Sequence, residues 1–372
     1  MKRGLHLARP PLMALALLSF VAALWGGLVR LGWDWHPVLN DLPLAHGPLM
    51  VGGFLGTLIG LERAAALNRP WCYAAPLLSG LGALVFLADF SHPAGPLLMT
   101  LGSLGLVAVS CEIVRRQRAL FTVTLGLGSL AWLAGNVLWL SNWQVHRLAL
   151  LWAAFPVLTI CGERLELSRL LSLSRRSRGA FLLAAGLFAA GLLASVSSPD
   201  RGAQWAGAGM VALALWLFRY DVARRTVRQR GLTRHVAACL LSGYVWLGAA
   251  GVMAAAWGGV PPGPRYDALL HALFLGFVFS MIFGHAPIVL PAALGKSVPY
   301  RRRFYLHLGA LHASLLLRIG GDLAEWPAAS LWGGLLNAAA ILLFLGNIGW
   351  AVRSRPQEGP APGHAPSRSG SR

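Results

Sequence analysis

Long apolar runs, each close to 20 residues, follow one another along almost the entire chain. The hydrocarbon core of a bilayer is about 30 Å thick, and a helix needs roughly 20 apolar residues to cross it. Twelve such runs predict twelve transmembrane helices with short loops between them. The predicted spans are 11–33, 43–65, 72–90, 95–114, 120–140, 147–168, 179–197, 203–219, 235–257, 266–293, 304–320 and 328–351.

The fold class that follows is an all-α integral membrane protein. Only 12% of the residues are charged, against about 25% in soluble domains, which excludes a soluble enzyme. We predict one twelve-helix domain over 1–351 and a disordered cytoplasmic tail over 352–372, where Pro, Gly and Ser are frequent. The first apolar run continues to Leu31 and is too long for a signal peptide, so we expect it to remain as a helix.

The basic residues indicate the topology rather than a nucleic-acid partner. The formal net charge is +19, and 27 of the 32 Lys and Arg residues fall on one side when the loops are assigned alternately. Basic loops stay in the cytoplasm, so both termini are predicted to be cytoplasmic. Anionic membrane lipid is the expected partner of these residues, and no nucleic acid is required.

Histidines inside apolar spans are the most informative polar residues, because ionisable groups in a bilayer are costly and usually functional. His46, His146 and His271 lie near the outer ends of spans two, six and ten, four helices apart. This spacing is compatible with three four-helix units. His46 and His146 are also followed, 16 and 17 residues later, by a Glu-Arg pair.

His46 and His271 lie at matched depth, roughly 5–10 Å below the outer surface at 1.5 Å per helical residue. Two such imidazoles on neighbouring helices can bind haem iron from both sides, so both are candidate ligands of a b-type haem. Arg30 and Arg318 lie at the level of the haem propionates and can pair with them. The alternatives are that the histidines are hydrogen-bonded and inert, and that the arginines extend to the interface.

Another group of histidines lies nearer the inner side. His285 and His312 come at about 12 Å from the inner ends of consecutive helices, estimated from the helical rise. They are candidates for a second metal such as copper, for a mutual contact or for a proton relay. His285 can instead bond a carbonyl freed by Pro287. We expect His307 to extend to the inner interface, and Glu62 and Glu163 to form ion pairs there.

Two stretches resemble the NnrS family of bacterial membrane proteins, which is related to subunit I of the haem-copper oxidases. One is His46-Gly-Pro-Leu-Met-Val-Gly-Gly-Phe, and the other runs from Leu270-His271-Ala272-Leu273 through Met281 to Gly284-His285. The resemblance implies a haem-binding protein of the bacterial cytoplasmic (inner) membrane, associated with nitric oxide and nitrosative stress. By this analogy His46 and His271 are the low-spin haem ligands on helices two and ten.

Departures from the oxidase pattern limit what the resemblance implies. Leu269 stands where the oxidases carry a second histidine on helix ten, and span six has Gly162-Glu163-Arg164 in place of a histidine. Span seven (179–197) contains no histidine at all. The ligands of the oxidase copper centre are therefore missing, which argues against reduction of oxygen or nitric oxide by the oxidase mechanism.

The sequence thus predicts a haem protein whose partner is nitric oxide or a redox protein, with a role in the nitric oxide response or in electron transfer. Whether it is an enzyme stays open, as does its oligomeric state. A twelve-helix secondary transporter is one alternative, since interrupted helices such as that at Pro287 and Pro291 occur in transporters. An assembly factor for a haem-copper enzyme is another.

Overall fold

The structure is a computed structural model that describes residues 2–35, 39, 41–171, 173–294 and 298–353. Within these residues it is 86% helical and contains no β-strand, which confirms the all-α prediction. The predicted tail lies outside the described residues from residue 354 onward.

The described chain forms twelve long helices, interrupted only by short connections. They are α1 (Lys2–Leu31), α2 (Leu42–Leu67), α3 (Pro70–Ala88), α4 (Ala94–Arg116), α5 (Leu120–Leu140), α6 (Val145–Leu167), α7 (Arg175–Ser197), α8 (Pro199–Tyr220), α9 (Gly231–Trp257), α10 (264–294), α11 (Phe304–Leu323) and α12 (Pro327–Arg353).

Ten of the described helices are long and apolar enough to cross a membrane, so the chain has the features of a multi-pass membrane protein. The other two are α8, which begins with Asp200 and Arg201, and α11, which contains two histidines, Arg318 and Asp322. These charged and polar residues lower the hydropathy of both helices. The prediction of twelve spans is therefore confirmed for ten helices, and the full count stays a prediction.

Local sequence explains several helix boundaries. Proline occupies one of the first positions of α8, α10 and α12, where its missing N–H costs nothing and its fixed φ suits a helix. Asn68 ends α2 in the left-handed conformation, with φ 52°, which is a common way to end a helix. Gly263, with φ 154°, gives the turn that leads into α10.

Consecutive helices pack against one another around the bundle, and α12 returns to contact α1. The helices α2, α6 and α10 contact one another inside this ring. In their apolar windows 67%, 78% and 67% of the residues are buried, against 28–50% in the other candidate spans. The second, sixth and tenth helices are therefore the interior of the bundle.

Both helices that carry a candidate haem ligand contain a π-helical segment. In α2 it covers Leu49–Gly56, just after His46, and in α10 it covers Ala272–Phe279, directly after His271. Segments with this wider hydrogen-bonding pattern are rare and frequently occur at functional sites. The third interior helix, α6, is α-helical from Val145 to Leu167.

Candidate cofactor site between two histidine helices

The imidazole of His46 is fixed by a hydrogen bond to the neighbouring helix α1. Its Nδ1 lies 2.7 Å from the carbonyl oxygen of Ala23. A carbonyl oxygen only accepts, so Nδ1 carries the proton and donates it. In the neutral ring the Nε2 atom then has a lone pair, and it forms no hydrogen bond with any described residue. His46 is thus held through its Nδ1 proton, and in its neutral form its Nε2 is free to bind a metal.

His271 on α10 has the same arrangement, but its partner lies on its own helix. Its Nδ1 donates to the carbonyl oxygen of Asp267, one turn earlier, at 2.6 Å. In the neutral ring this bond again leaves Nε2 with a lone pair. Histidines that bind metals almost always donate their other ring N–H to a carbonyl or carboxylate, which fixes the tautomer and orients the ring.

The two imidazoles face each other across the interior of the bundle. Their ring centroids are 6.4 Å apart, and the ring planes are inclined by only 17°. Eight residues farther along each helix, Phe54 and Phe279 also stack, with centroids 6.1 Å apart and planes inclined by 24°. Helices α2 and α10 therefore present the same pair of side chains, a histidine and a phenylalanine, toward each other at the same spacing.

A cavity of about 540 Å³ contains both histidines. Its wall is largely apolar and includes Leu24, Met50 and Phe274, while Phe54 and Phe279 lie at its deeper end. This volume falls within the ~300–1,000 Å³ that small-molecule and cofactor sites occupy. The site is thus a mostly apolar pocket that contains two parallel imidazoles.

Charged side chains from three helices also line this cavity. Arg30 on α1 is partly exposed and lies 3.4 Å from Asp267. Arg318 on α11 is 8% exposed, and its Nε atom is 3.8 Å from Asp322 Oδ2, which is longer than a hydrogen bond. Neither of these two atoms has a hydrogen-bond partner among the described residues. Arg318 therefore retains a buried donor that an anionic ligand group can use.

Glycines allow these side chains to reach the cavity. A Cβ atom on Gly27 of α1 would lie 2.6 Å from His46 Nδ1, and one on Gly334 of α12 would lie 2.7 Å from Arg318 Nη1. Sequence reasoning missed both glycines, as well as Asp267 and Asp322. The two aspartates could have been predicted from the sequence, since each lies four residues from a candidate site residue and so on the same helix face.

The structure therefore brings four of the predicted site residues together, namely His46, His271, Arg30 and Arg318, all of which line one cavity. His146 is not among the lining residues, although its neighbour Val145 is. The predicted equivalence of His146 with the other two histidines thus does not extend to a shared pocket.

His285 and His312 have other partners. Trp246 Nε1 donates to His312 Nδ1 at 3.0 Å, so His312 Nε2 carries the proton and faces Ser242 Oγ at 2.9 Å. His285 Nδ1 donates to the carbonyl of Met281 at 2.8 Å, and its Nε2 lies 3.3 Å from Arg164 Nη1. Both nitrogens of each ring are engaged, and no group of three metal-ligating side chains occurs among the described residues. A second metal at these histidines stays an untested prediction.

Two ion pairs join α6 to α2 and to the segment after α8. Glu163 pairs with Arg63 of α2 rather than with its sequence neighbour Arg164. Arg164 instead pairs with Asp221 at 2.9 Å, and both side chains are buried. Glu163 was expected to form an ion pair, and it does so between helices.

His307 was expected to extend to the membrane interface, but the structure buries it completely. Asn347 lies 3.2 Å from its Nδ1, and the rings of Phe283 and Phe344 pack against it. His235, which the sequence reasoning did not consider, is equally buried beside it, with ring centroids 6.0 Å apart. Aromatic packing, which the position of His307 along the chain does not reveal, explains the difference.

Fold and site together define a class: a multi-pass helical membrane protein with an interior cavity in which two histidines are paired. The family model described as "Domain of unknown function (DUF8744)" matches residues 9–353, so the chain belongs to this family. No curated protein and no solved structure matches the chain significantly.

Proposed function

We propose that this protein binds one haem b between α2 and α10, and that His46 and His271 would hold its iron. The parallel imidazoles, 6.4 Å apart, carry this proposal. Adding the ~1.1 Å from a ring nitrogen to the imidazole centre to a metal–nitrogen bond of about 2.0–2.1 Å gives about 6.3 Å across a metal held by two opposed imidazoles. The observed spacing is thus compatible with two histidine ligands of one ion.

The remaining residues of the cavity also suit a haem. The apolar wall suits the faces of a porphyrin, and the hydrogen bonds from Nδ1 to Ala23 and Asp267 hold both rings with Nε2 available. Arg30 and Arg318 line the same cavity and can pair with the propionate carboxylates. When bound, haem supplies a one-electron redox centre.

Electron transfer is the role that this geometry favours. If His46 and His271 both held the iron, a gas could bind there only by displacing one of them. The Nδ1 hydrogen bonds of 2.7 Å and 2.6 Å hold both imidazoles in place and so oppose displacement. The NnrS resemblance adds a context of nitric oxide or nitrosative stress, in which this protein would exchange electrons with a redox partner.

The arrangement of the bundle supports two further parts of the proposal, namely twelve membrane spans and three four-helix units. The most buried helices are the second, sixth and tenth, as expected of three four-helix units around a common interior. Helices α8 and α11 have the length to complete twelve spans. We place the protein in the bacterial inner membrane with both termini in the cytoplasm, since the basic loops favour this orientation.

The optical spectrum of the purified full-length protein tests the proposed function. We expect a Soret band, a dithionite-reduced minus oxidised spectrum of b type, and about one haem per chain in a pyridine haemochrome assay. Protein that is folded and colourless after expression with added haem precursor would contradict the proposal. Substrate flux by such colourless protein would instead indicate a secondary transporter.

The substitution Gly27→Ala tests whether α1 positions His46. The added methyl group would overlap the imidazole, so the ring must move and its hydrogen bond to Ala23 must weaken. Loss of such a second-shell contact typically costs 10–100-fold in metal affinity. We therefore expect a clear fall in the haem-to-protein absorbance ratio.

Gly346→Ala in α12 is the matched control for this prediction, because nothing lies within 4 Å of a Cβ atom at that position. Alanine is also the better helix former, so this variant should keep its haem and its melting temperature. Equal haem content in both variants would show that close packing at Gly27 does not position His46.

A further inference from the structure

A second cavity, of about 510 Å³, lies at the end of the bundle where α7 begins and α8 ends. Four arginines, all of them exposed at the surface, contribute to its lining. Over the ranges that the structure describes, none of the four lies within ion-pair distance of a carboxylate. The cavity is therefore strongly positive. The four residues are Arg219, Arg224, Arg225 and Arg228.

The one carboxylate in the lining does not neutralise these arginines. Asp221 is paired with Arg164 at 2.9 Å and also accepts a hydrogen bond from the backbone N–H of Ala223 at 2.7 Å. Its charge is thus balanced inside the bundle, by a residue that does not line the cavity. Four positive charges are left for a ligand.

The N-terminus of α7 points to an anion independently of the arginines. Ser174 caps this 23-residue helix by accepting a hydrogen bond from the N–H of Ser177, and both serines line the cavity. The side chain of Ser177 is almost completely buried, yet its Oγ has no hydrogen-bond partner among the described residues. A buried hydroxyl without a partner is costly, and a ligand oxygen in the cavity would provide that partner.

We propose that this cavity binds a phosphate-bearing anion. Arginine guanidinium groups match phosphate oxygens in a bidentate geometry, a helix N-terminus favours negative charge, and a serine hydroxyl donates one more hydrogen bond. The volume is larger than a single phosphate needs, which leaves space for the headgroup of an anionic phospholipid. Basic pockets between membrane helices bind such headgroups in other proteins.

A comparison with neighbouring arginines distinguishes a specific binding site from a generally basic surface. Arg175 and Arg176 lie in the first turn of α7 and are exposed, but they do not line the cavity. The double variant Arg175→Gln/Arg176→Gln removes the same charge from the same end of the bundle. It is therefore the matched control for Arg225→Gln/Arg228→Gln.

The experiment measures thermal stabilisation and native mass spectra of the delipidated full-length protein. The ligands are phosphatidylglycerol, phosphatidylcholine, inorganic phosphate and pyrophosphate. We expect phosphatidylglycerol to bind and stabilise the protein, and phosphatidylcholine to have little effect. Both double variants lose the same surface charge, but only Arg225→Gln/Arg228→Gln also loses direct bonds to the ligand, each worth about 1.5 kcal/mol or more, or at least about tenfold in affinity. This pair should thus weaken binding at least about tenfold more than the control pair.

Ser177→Ala gives a readout that is independent of charge. The unliganded variant should melt at or slightly above the wild-type temperature, because a buried hydroxyl without a partner is removed, while its affinity for phosphatidylglycerol falls. If inorganic phosphate and pyrophosphate bind but phosphatidylglycerol does not, and binding depends in the same way on Arg225, Arg228 and Ser177, the site is supported and its ligand is a soluble phosphate. Equal lipid binding by wild type and both double variants would overturn the proposal.

Discussion

Replacing either His46 or His271 with alanine is expected to leave less than about a tenth of the wild-type haem content, since even the loss of a second-shell contact costs 10–100-fold in metal affinity. Each substitution removes one of the two imidazoles and leaves the helix otherwise able to form. The measurement is the ratio of Soret to protein absorbance after purification, with monodispersity and helical circular dichroism recorded on the same sample.

His146→Ala is the control for this prediction. His146 lies at the same end of the bundle, at the start of the interior helix α6, but does not line the cavity. The variant should therefore retain its haem. Folded His46→Ala or His271→Ala protein with wild-type haem content would place the cofactor elsewhere and would remove the basis of the proposed function.

Breaking the buried pair between Arg164 and Asp221 is expected to be the most destabilising change outside the cavity that contains His46 and His271. Asp221→Leu leaves the Arg164 guanidinium buried without its counter-charge, and removing one partner of such a pair typically costs about 3–5 kcal/mol. Asp221 also accepts a hydrogen bond from the Ala223 N–H, which the variant loses. The melting temperature in detergent and the yield of folded protein measure the effect.

Two comparisons make this second prediction specific. The double variant Arg164→Met/Asp221→Leu removes both charges and should recover part of the lost stability, because an apolar pair can replace a buried ion pair. Glu112→Gln affects a more exposed cluster with Arg69, Arg115 and Arg116, where solvent screening leaves each ion pair little effect on stability. If Asp221→Leu and Glu112→Gln cost the same, the buried pair is not a major source of stability.

Much of the fold follows from residue periodicity and length alone. A helix that crosses a bilayer must be long and apolar, so most of the helices leave a clear signal in the sequence, and all twelve predicted segments correspond to helices, including the less apolar α8 and α11. The sequence also allowed His46 and His271 to be predicted as a pair, since helix length and the alternation of loops fix the depth of a residue in the membrane. Depth does not fix which helices are neighbours. That His46 and His271 line the same cavity is known only from the structure.

Other features could not be predicted because side-chain partners depend on helix rotation. Glu163 and Arg164 are adjacent in sequence, yet their side chains point to different helices and pair with Arg63 and Asp221. His307 lies near a helix end but faces the interior, where aromatic rings surround it. The π-helical segments after His46 and His271 have no simple sequence signal either, and they change the rotation of everything that follows them.

The central claim is that His46 and His271 together hold one haem iron, and low-temperature electron paramagnetic resonance of the oxidised protein tests it most directly. Two imidazoles whose planes are inclined by only 17° should give a rhombic low-spin ferric signal, which His46→Ala and His271→Ala abolish. A high-spin ferric signal in the wild-type protein, or no haem signal at all from folded protein, would contradict the claim.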